Sequence, residues 1–220
     1  MSNPAPYLPP VMSDVVIDIS HYDTVSADFA TTATQPDDNG NTIAAVIMKA
    51  TQGTDFVDPT FLERVAEAKA AGLLVGAYHF LDGSSPATQV AHFLTIAVSE
   101  GGVNWLALDW EAYPASQANV VQAQTAAASI QAATGKWPIA YMNRFMLSAP
   151  SQTLSKCPLW LPEYGSNPIS PRGFSQWKLW QHTDGQVGSA VVPVPGIGPC
   201  DRSKFAGTVD QLRAWWGNPQ

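Results

Sequence analysis

Trp105-Leu106-Ala107-Leu108-Asp109-Trp110-Glu111 is a short apolar run that ends in two acids on either side of a tryptophan. Gly101-Gly102 before it and Pro114 after it bound the run, which predicts a buried strand. Because side chains alternate along a strand, Asp109 and Glu111 point to the same face. Two adjacent carboxyls cannot both ionise at low cost, so one pKa should rise and supply a proton donor near neutral pH. Glycoside cleavage needs this chemistry, although an isolated Asp-x-Glu is more often a solvated strand end.

The bulk composition describes a globular, acidic chain. Its 220 residues are enough for one sizeable core, and 45% hydrophobic against 13% charged residues excludes a disordered chain. The net charge of −7 and the lack of a basic run argue against nucleic acid as a partner, because phosphate binding requires a basic face. No apolar stretch approaches the roughly 20 residues of a membrane span, so we predict none.

Apolar runs alternate with amphipathic segments along the chain. Seven or eight strand candidates are separated by helix candidates that begin at Asp58-Pro59, at Ser85-Pro86 and near residue 115. This alternation predicts an α/β protein with a parallel sheet and helices outside, and the strand number favours a closed, TIM-like barrel over an open sheet. Helices are fewer in the second half, so we expect an irregular barrel. It would form a single domain over residues 15–220, after an extended, proline-rich arm at residues 1–14.

Several local signals are more specific. Asp58 is the expected N-cap of the first long helix. Residues 31–42, rich in Thr, Asp, Asn and Gly, predict a polar loop. Pro162 predicts that the strand at 159–164 is an edge strand or contains a bulge, because proline has no backbone N–H to donate to a neighbouring strand. A last strand near 197–203 and a short helix near 208–216 are expected to close the chain.

Cysteine and histidine usage points to no metal or cofactor. Cys157 and Cys200 set no disulfide framework; two buried thiols are favoured over a bridge, which the sequence leaves open. The four histidines are scattered, with no His-x-x-x-His or Cys-x-x-Cys spacing. We therefore predict no metal site and no cofactor.

Polar residues gather at the predicted carboxyl ends of the strands, where a β/α barrel carries its function. They are Asp18, Lys49, Tyr78, His79, Asp109, Glu111, Tyr141, Tyr164 and Gln181, with Asp201 near the last strand. An acidic cleft with aromatic walls suits a sugar, because aromatic rings stack on the apolar faces of pyranose rings. His79, His182 and Lys49 are as often structural as functional, and Trp160, Trp177 and Trp180 are more often core residues. There is no G-x-S-x-G, P-loop or G-x-G-x-x-G motif of other enzyme classes.

A collinear series of short motifs over residues 15–207 resembles glycoside hydrolase family 25, the Chalaropsis-type lysozymes (N-acetylmuramidases). The motifs are Asp18-Ile19-Ser20-His21, residues 48–53, Asp58-Pro59-Thr60-Phe61, residues 68–80, Leu108-Asp109-Trp110-Glu111, Tyr141-Met142-Asn143, Leu159-Trp160-Leu161 and Trp180-Gln181-His182-Thr183. Each motif is weak alone, whereas the series is specific. The resemblance implies an irregular, flattened β/α barrel, in agreement with the periodicity.

The resemblance also implies an activity, which is cleavage of the β-1,4 bond between N-acetylmuramic acid and N-acetylglucosamine in peptidoglycan. Glu111 would be the general acid that protonates the leaving oxygen. Asp109 would be either a nucleophile or the group that orients the substrate's 2-acetamido oxygen for attack; two acids on one strand face favour the second route, and both retain configuration. Substrate-binding roles would fall to Asp18, Asp201, Tyr78, Tyr141, Tyr164, Lys49 and Gln181.

Two features depart from the family pattern. Pro162-Glu163 stands where small residues are commoner, and unusual prolines flank Asp201. Residues 1–14 do not form a secretory signal and no cell-wall-binding repeats are present, so the chain resembles a phage endolysin. Such an enzyme is made in the cytoplasm and reaches the wall after another protein permeabilises the membrane; export by a different route is the alternative. We expect a monomer.

Three other classes compete with a muramidase. A chitinase-like enzyme would carry acids as D-x-x-D-x-D-x-E, but Asn104 and Ala107 stand at two of the acidic positions. A non-catalytic glycan-binding barrel usually lacks the catalytic acids, whereas Asp109 and Glu111 are both present. A structural phage component carrying this barrel is the third alternative, which assembly into virions would reveal.

Overall fold

The computed structural model describes residues 11–23, 26–165, 167–189 and 191–217. Its strands are β1 (Ser13–Ile19), β2 (Ala45–Gln52), β3 (Phe56–Val57), β4 (Leu74–Phe80), β5 (Leu106–Asp109), β6 (Ile139–Tyr141), β7 (Leu159–Pro162), β8 (Leu179–Thr183) and β9 (Asp201–Phe205). Its α-helices are α1 (Phe29–Thr34), α2 (Phe61–Ala70), α3 (Pro86–Leu94), α4 (Val120–Thr134) and α5 (Val209–Gly217). A π-helical turn (Thr95–Glu100) extends α3, and a 3-10 turn covers Leu154–Lys156.

Eight of these strands close into a barrel. β1, β2, β4, β5, β6, β7 and β8 pair in that order, and every one of these pairings is parallel. β9 completes the ring by pairing antiparallel with both β8 and β1, while β3 is a hairpin partner of β2 outside the ring. The predicted α/β barrel is thereby confirmed, with one strand that runs against the other seven.

The reversed direction of β9 decides where its first residue lies. Asp201 is the first residue of β9 and pairs with Asp18 near the carboxyl end of β1. At the other end of the strand, Phe205 pairs with Ser13 and Leu179, which are the first residues of β1 and β8. The start of β9 therefore joins the carboxyl ends of the parallel strands at one mouth of the barrel.

Strand alternation sorts the buried side chains into two cores. One set, which includes Ala107, Ile139 and Trp160, forms a cluster with Leu212 and Trp216 of α5 and fills the barrel. The other set contains Leu106, Leu108 and Ala140 and packs with residues of α2, α3 and α4. The outward faces of the strands thus hold the helices, while the inward faces supply the apolar residues that fill the barrel.

Helix α5 closes the opposite mouth. Trp216 is 7% exposed, its indole nitrogen donates to the carbonyl of Val75 at 3.3 Å, and its carbonyl accepts from Trp105 Nε1 at 2.5 Å. A Cβ built on Gly76 would come within 3.2 Å of the Trp216 ring. The two tryptophans therefore seal the amino-terminal end of the barrel and fix α5 against it.

Two helix starts differ from the sequence prediction. Asp58 was the expected N-cap of α2, but Thr60 occupies that position. The Asp58 carboxylate instead accepts hydrogen bonds from the backbone and hydroxyl of Thr60 and from the backbone of His21, so it joins the β1 loop to the helix start. α4 begins at Val120 rather than near 115, because Asn119 forms a capping box with Gln122.

Other local predictions also need correction. The strand at 159–164 was predicted to be an edge or to contain a bulge, but β7 lies between β6 and β8 without a register shift, and Pro162 is its last residue. The last strand covers Asp201–Phe205 rather than 197–203. The segment predicted as a polar loop begins within α1, which the Asp28 carboxylate caps by accepting from Thr31 N.

The remaining expectations concern thiols and termini. Cys157 and Cys200 are buried free cysteines, so the prediction of two buried thiols is confirmed. Most of the predicted arm, residues 1–10, lies outside the described residues, while Ser13 and Asp14 already belong to β1. The division into an arm and one domain stays a prediction. None of the helices in the described part has the length and apolar character that a bilayer crossing requires.

Candidate active site

A cavity of about 220 Å³ opens at the carboxyl mouth of the barrel. It is lined by Asp18, Tyr78, Asp109, Glu111, Tyr141, Trp160, Tyr164, Gln181 and Asp201. Every residue to which the sequence assigned a catalytic or substrate-binding role is in this wall except Lys49, and His79 also lies outside it. The parallel strands bring their carboxyl-end residues here, and the reversed β9 adds its first residue.

The two central acids reach this cavity through the alternation of β5. The strand ends at Asp109, but Trp110 N still donates to the carbonyl of Tyr141 at 3.0 Å, so the extended course continues for one residue. The Trp110 side chain is 4% exposed and its indole nitrogen donates to the carbonyl of Ala118 at 2.9 Å. Trp110 thus faces the helix layer, and Asp109 and Glu111 share the cavity side, as the sequence predicted.

Burial raises the pKa of both central acids. Desolvation holds the pKa of Asp109 well above its usual range, the Glu111 carboxyl raises it further, and the Lys49 ammonium opposes both. Desolvation likewise raises the pKa of Glu111, and Lys49 again opposes it. Asp109 is 8% exposed, whereas Glu111 is only partly buried, so Glu111 is the more accessible proton carrier.

The other two acids lie across the barrel from this pair. Burial, followed by the charge of Asp201, raises the pKa of Asp18 well above its usual range, while a hydrogen bond from Gln181 opposes the shift. Burial raises the pKa of Asp201 to about 7, with further contributions from Asp23 and Asp184. All four acids of the cavity thus have a raised pKa, and Asp201 can exchange protons near neutral pH.

Two carboxylate oxygens at this site have no hydrogen bond. Asp18 Oδ1 and Asp109 Oδ1 are buried and have no partner among the described residues. Buried polar atoms are nearly always paired, because an unpaired one costs about 1–3 kcal/mol. Since both residues line the cavity, these oxygens are acceptors suited to hydroxyl or amide groups of a ligand.

Gln181 connects the acidic and the aromatic walls. Its Nε2 donates to Asp18 Oδ2 at 2.9 Å, while its Oε1 accepts from the hydroxyls of Tyr141 at 2.8 Å and Tyr164 at 3.1 Å. The Tyr164 hydroxyl also lies 3.4 Å from Asp201 Oδ1. The two phenols fix the orientation of the amide, and the amide presents its NH₂ group to Asp18.

Sequence reasoning missed Trp160 as a member of the cavity wall. It is 1% exposed, its indole nitrogen donates to Ser203 Oγ at 2.9 Å, and its ring packs edge-on against Tyr141 at 4.9 Å. The prediction that it belongs to the core is correct, but its pairing opposite Tyr141 also places it under the cavity. The position of Trp160 in register with Tyr141 was the signal that could have identified it.

Lys49 lies beside the cavity rather than in its wall. Its ammonium donates to Gln52 Oε1 at 2.7 Å and lies 5.1 Å from the ring centroid of Phe80 and 5.6 Å from that of Phe56. Burial lowers the pKa of Lys49, and the charges of Asp109, Asp58 and Glu111 oppose that shift. It is therefore a nearby cation for the two central acids.

The two buried histidines have structural partners. His79 lies between Thr51 Oγ1 at 2.8 Å and Gln89 Oε1 at 3.1 Å, and burial lowers its pKa to about 4. His182 contacts the carbonyl of Ser189 and the Asp14 carboxylate. No group of three or more His, Cys, Asp or Glu side chains in the described ranges could hold a metal ion.

Asp23 is a second residue that the sequence did not single out. Its carboxylate accepts from Ser20 N at 2.6 Å, just after β1, and its charge helps to raise the pKa values of Asp18 and Asp201. Asp23 follows the Asp18-Ile19-Ser20-His21 motif by two residues. That proximity was the available signal.

Comparison with known proteins yields one family and several relatives. The sequence model of "Glycosyl hydrolases family 25" matches residues 17–190. The chain is 32% identical to the uncharacterized protein YegX of Escherichia coli K12 (81% of this chain, 65% of the relative) and 28% identical to Lysozyme M1 of Streptomyces globisporus (78% and 63%). It thus spans about two thirds, or slightly less, of the length of these relatives.

The fold has a solved counterpart of nearly the same extent. A bacterial lysozyme from Streptomyces coelicolor superimposes with a TM-score of 0.72 at 28% sequence identity, over 96% of this chain and 98% of that one. The family match covers most of the barrel, and it includes the end of β1 with Asp18 and the whole of β5 with Asp109, but not β9. The chain therefore belongs to glycosyl hydrolase family 25.

Proposed function

We propose that this chain hydrolyses the β-1,4 bond between N-acetylmuramic acid and N-acetylglucosamine in bacterial peptidoglycan. The observation that carries the proposal is the pair Asp109 and Glu111 on one side of a sugar-sized, aromatic-walled cavity. Membership of family 25 and the similarity to proteins named as lysozymes support it. The enzyme would act as a monomer on glycan strands, without a metal or cofactor.

Glu111 is the general acid in this proposal. A general acid must hold its proton at the working pH and still reach the leaving oxygen. Burial raises the pKa of Glu111, and its partial exposure at the cavity leaves it accessible to a glycosidic oxygen. Asp109, which is more deeply buried and has an unpaired oxygen, suits a positioning role instead.

Asp109 accepts a hydrogen bond from the N–H of the substrate's acetamido group and orients the acetamido oxygen toward the anomeric carbon. The acetamido oxygen forms a bond to the anomeric carbon, the glycosidic C–O bond breaks, and the departing O4 takes the proton of Glu111. Water then attacks the anomeric carbon and gives a proton to Glu111, which restores the acid. The bond between the acetamido oxygen and the anomeric carbon breaks, and the product retains the original configuration. Direct attack by Asp109 is the alternative, but Asp109 and Glu111 lie on one side, whereas a nucleophile must approach the face opposite the leaving group.

The remaining residues of the wall bind the sugar. Asp18 and Asp201 offer carboxyl oxygens to its hydroxyls, and Tyr78, Tyr141 and Tyr164 contact the ring. Gln181 holds Asp18 and two of these tyrosines in place.

Digestion of purified peptidoglycan with the wild type and Glu111→Gln tests the assignment. General acid catalysis contributes about 10²–10⁴-fold, so the variant should lose activity by that factor while it keeps its fold. Mass spectrometry of the reduced fragments should find new reducing ends on N-acetylmuramic acid with the wild type alone. Reducing ends on N-acetylglucosamine would contradict the proposed bond, and sugar binding without fragments would support a non-catalytic barrel.

The role of Asp109 has its own test. In the substrate-assisted route no covalent bond forms between sugar and protein. Trapping with a slow glycosyl substrate, followed by peptide mapping, should therefore find Asp109 unmodified. A sugar attached to Asp109 would establish it as the nucleophile.

A further inference from the structure

A second opening lies beside the catalytic cavity, and the chemistry described above does not use it. It has a volume of about 360 Å³ and is lined by Glu111, Tyr141, Asn143, Phe145, Pro162, Glu163 and Tyr164. Glu111, Tyr141 and Tyr164 also line the catalytic cavity. The two openings therefore adjoin each other, and they share the carboxyl that is assigned as proton donor.

Phe145 forms the outer wall of this opening. The residue is 79% exposed and lies in the turn that follows β6, four positions beyond the end of that strand. The Phe145 backbone nitrogen donates to Asn143 Oδ1 at 2.9 Å, and the Arg144 guanidinium lies 4.8 Å from the ring centroid. An exposed aromatic ring held in this way is a preformed surface for a ligand with an apolar face.

Phe145 also borders a third opening of about 510 Å³. Among the described residues that line this opening none is charged, and the polar members are Gln117, Asn119, Gln124, Ser148 and Ser151. Shared residues thus link the three openings in series, with Phe145 as the ridge between the second and the third. A series of this kind can follow a linear chain of sugars.

We propose that Phe145 is the platform for the leaving-group sugar, an inference that rests on the proposed function. Its ring stacks on the N-acetylglucosamine whose O4 receives the proton of Glu111, and the third opening takes the next sugar of the strand. Glu111 must contact the bond between the two central sugars, so the opening that shares Glu111 with the catalytic cavity holds the departing one. The Glu163 carboxyl in this wall and the Arg144 guanidinium beside the Phe145 ring carry opposite charges, so the opening favours neither an anion nor a cation and suits a neutral sugar.

Kinetics with two substrates test this inference. A soluble peptidoglycan tetrasaccharide places sugars on both sides of Glu111, whereas a β-fluoride of an N-acetylmuramic-acid-terminated oligosaccharide has no sugar on the leaving side. Phe145→Ala should raise KM for the tetrasaccharide about tenfold with kcat nearly unchanged, because stacking stabilises substrate and transition state alike. The same variant should hydrolyse the fluoride like the wild type, and Phe145→Trp should restore KM for the tetrasaccharide.

Leu62→Ala is the matched control, since Leu62 is an exposed apolar residue of α2 on the outer surface. It should leave both substrates unaffected. If the wild type cleaves both substrates, two results with Phe145→Ala would overturn the role of Phe145 as a platform. One is an equal loss of activity on both substrates, and the other is no loss on either. A wild type that cleaves neither substrate would remove the proposed function, and the inference with it.

Discussion

Replacement of Gln181 by methionine separates the polar network of the cleft from its shape. Methionine has nearly the volume of glutamine but no donor or acceptor, so Asp18 loses its donor and Tyr141 its acceptor. Tyr164 loses less, because it is 42% exposed and its hydroxyl can turn to water. At roughly 1 kcal/mol for each of the two buried bonds, the free energy of unfolding should fall by ~2 kcal/mol. For a chain of this size that corresponds to a melting temperature about 4–8 °C lower.

Gln181→Glu distinguishes the donor from the acceptor. The introduced carboxylate keeps both phenol bonds, but it faces Asp18 instead of donating to it. The pKa of the introduced carboxyl should be raised in the folded state. The variant should therefore be as stable as the wild type at low pH, where this carboxyl is protonated, and should lose stability as the pH rises through that pKa. Thermal unfolding of both variants at about pH 4 and pH 8, with exposed Gln176→Met as control, measures this. A methionine variant as stable as the wild type, or a glutamate variant with the pH dependence of the wild type, would refute the network.

Two further predictions concern the sealed mouth and the cation beside the acids. Trp216→Ala should lower the free energy of unfolding by about 3–5 kcal/mol, as chemical denaturation would measure. Initial rates at 25 °C should give an unchanged kcat/KM, because the seal lies at the end of the barrel away from the acids. A folded variant without activity would contradict this. Lys49→Met should shift both limbs of the pH–rate profile to higher pH, because the Lys49 ammonium lowers the pKa values of Asp109 and Glu111. A shift to lower pH would contradict this effect of Lys49 on the two acids.

The strands and the main acids could be predicted from the sequence because their signal is local. An apolar run that ends in Asp109 and Glu111 needs only the period of a strand to place both acids on one face. The same reasoning applies to Asp18, Tyr78 and Tyr141, since each follows or closes an apolar run. Residues at the carboxyl ends of parallel strands then meet at one mouth without further information.

Other features depend on contacts that no local pattern reports. The direction of β9 follows from its neighbours, so Asp201 was assigned to the cleft without the reason for it. Helix α1 is only six residues long and is held by distant contacts, such as the Thr32 hydroxyl that donates to the carbonyl of Pro195. Phe145 lies in a turn, where an aromatic residue has no periodicity to mark it. The phage origin and the monomeric state stay predictions.

Helix α5 and the start of β1 lie at the same end of the barrel, where Ser13 Oγ donates to the carbonyl of Gly207. Both ends of the described chain therefore leave the molecule on the side away from the acids. A protein tethered to a bead or an electrode through the exit of α5 would present its substrate mouth outward to the solution. Such an immobilised preparation could process suspended cell-wall fragments that are far larger than the enzyme itself, without the support blocking their approach.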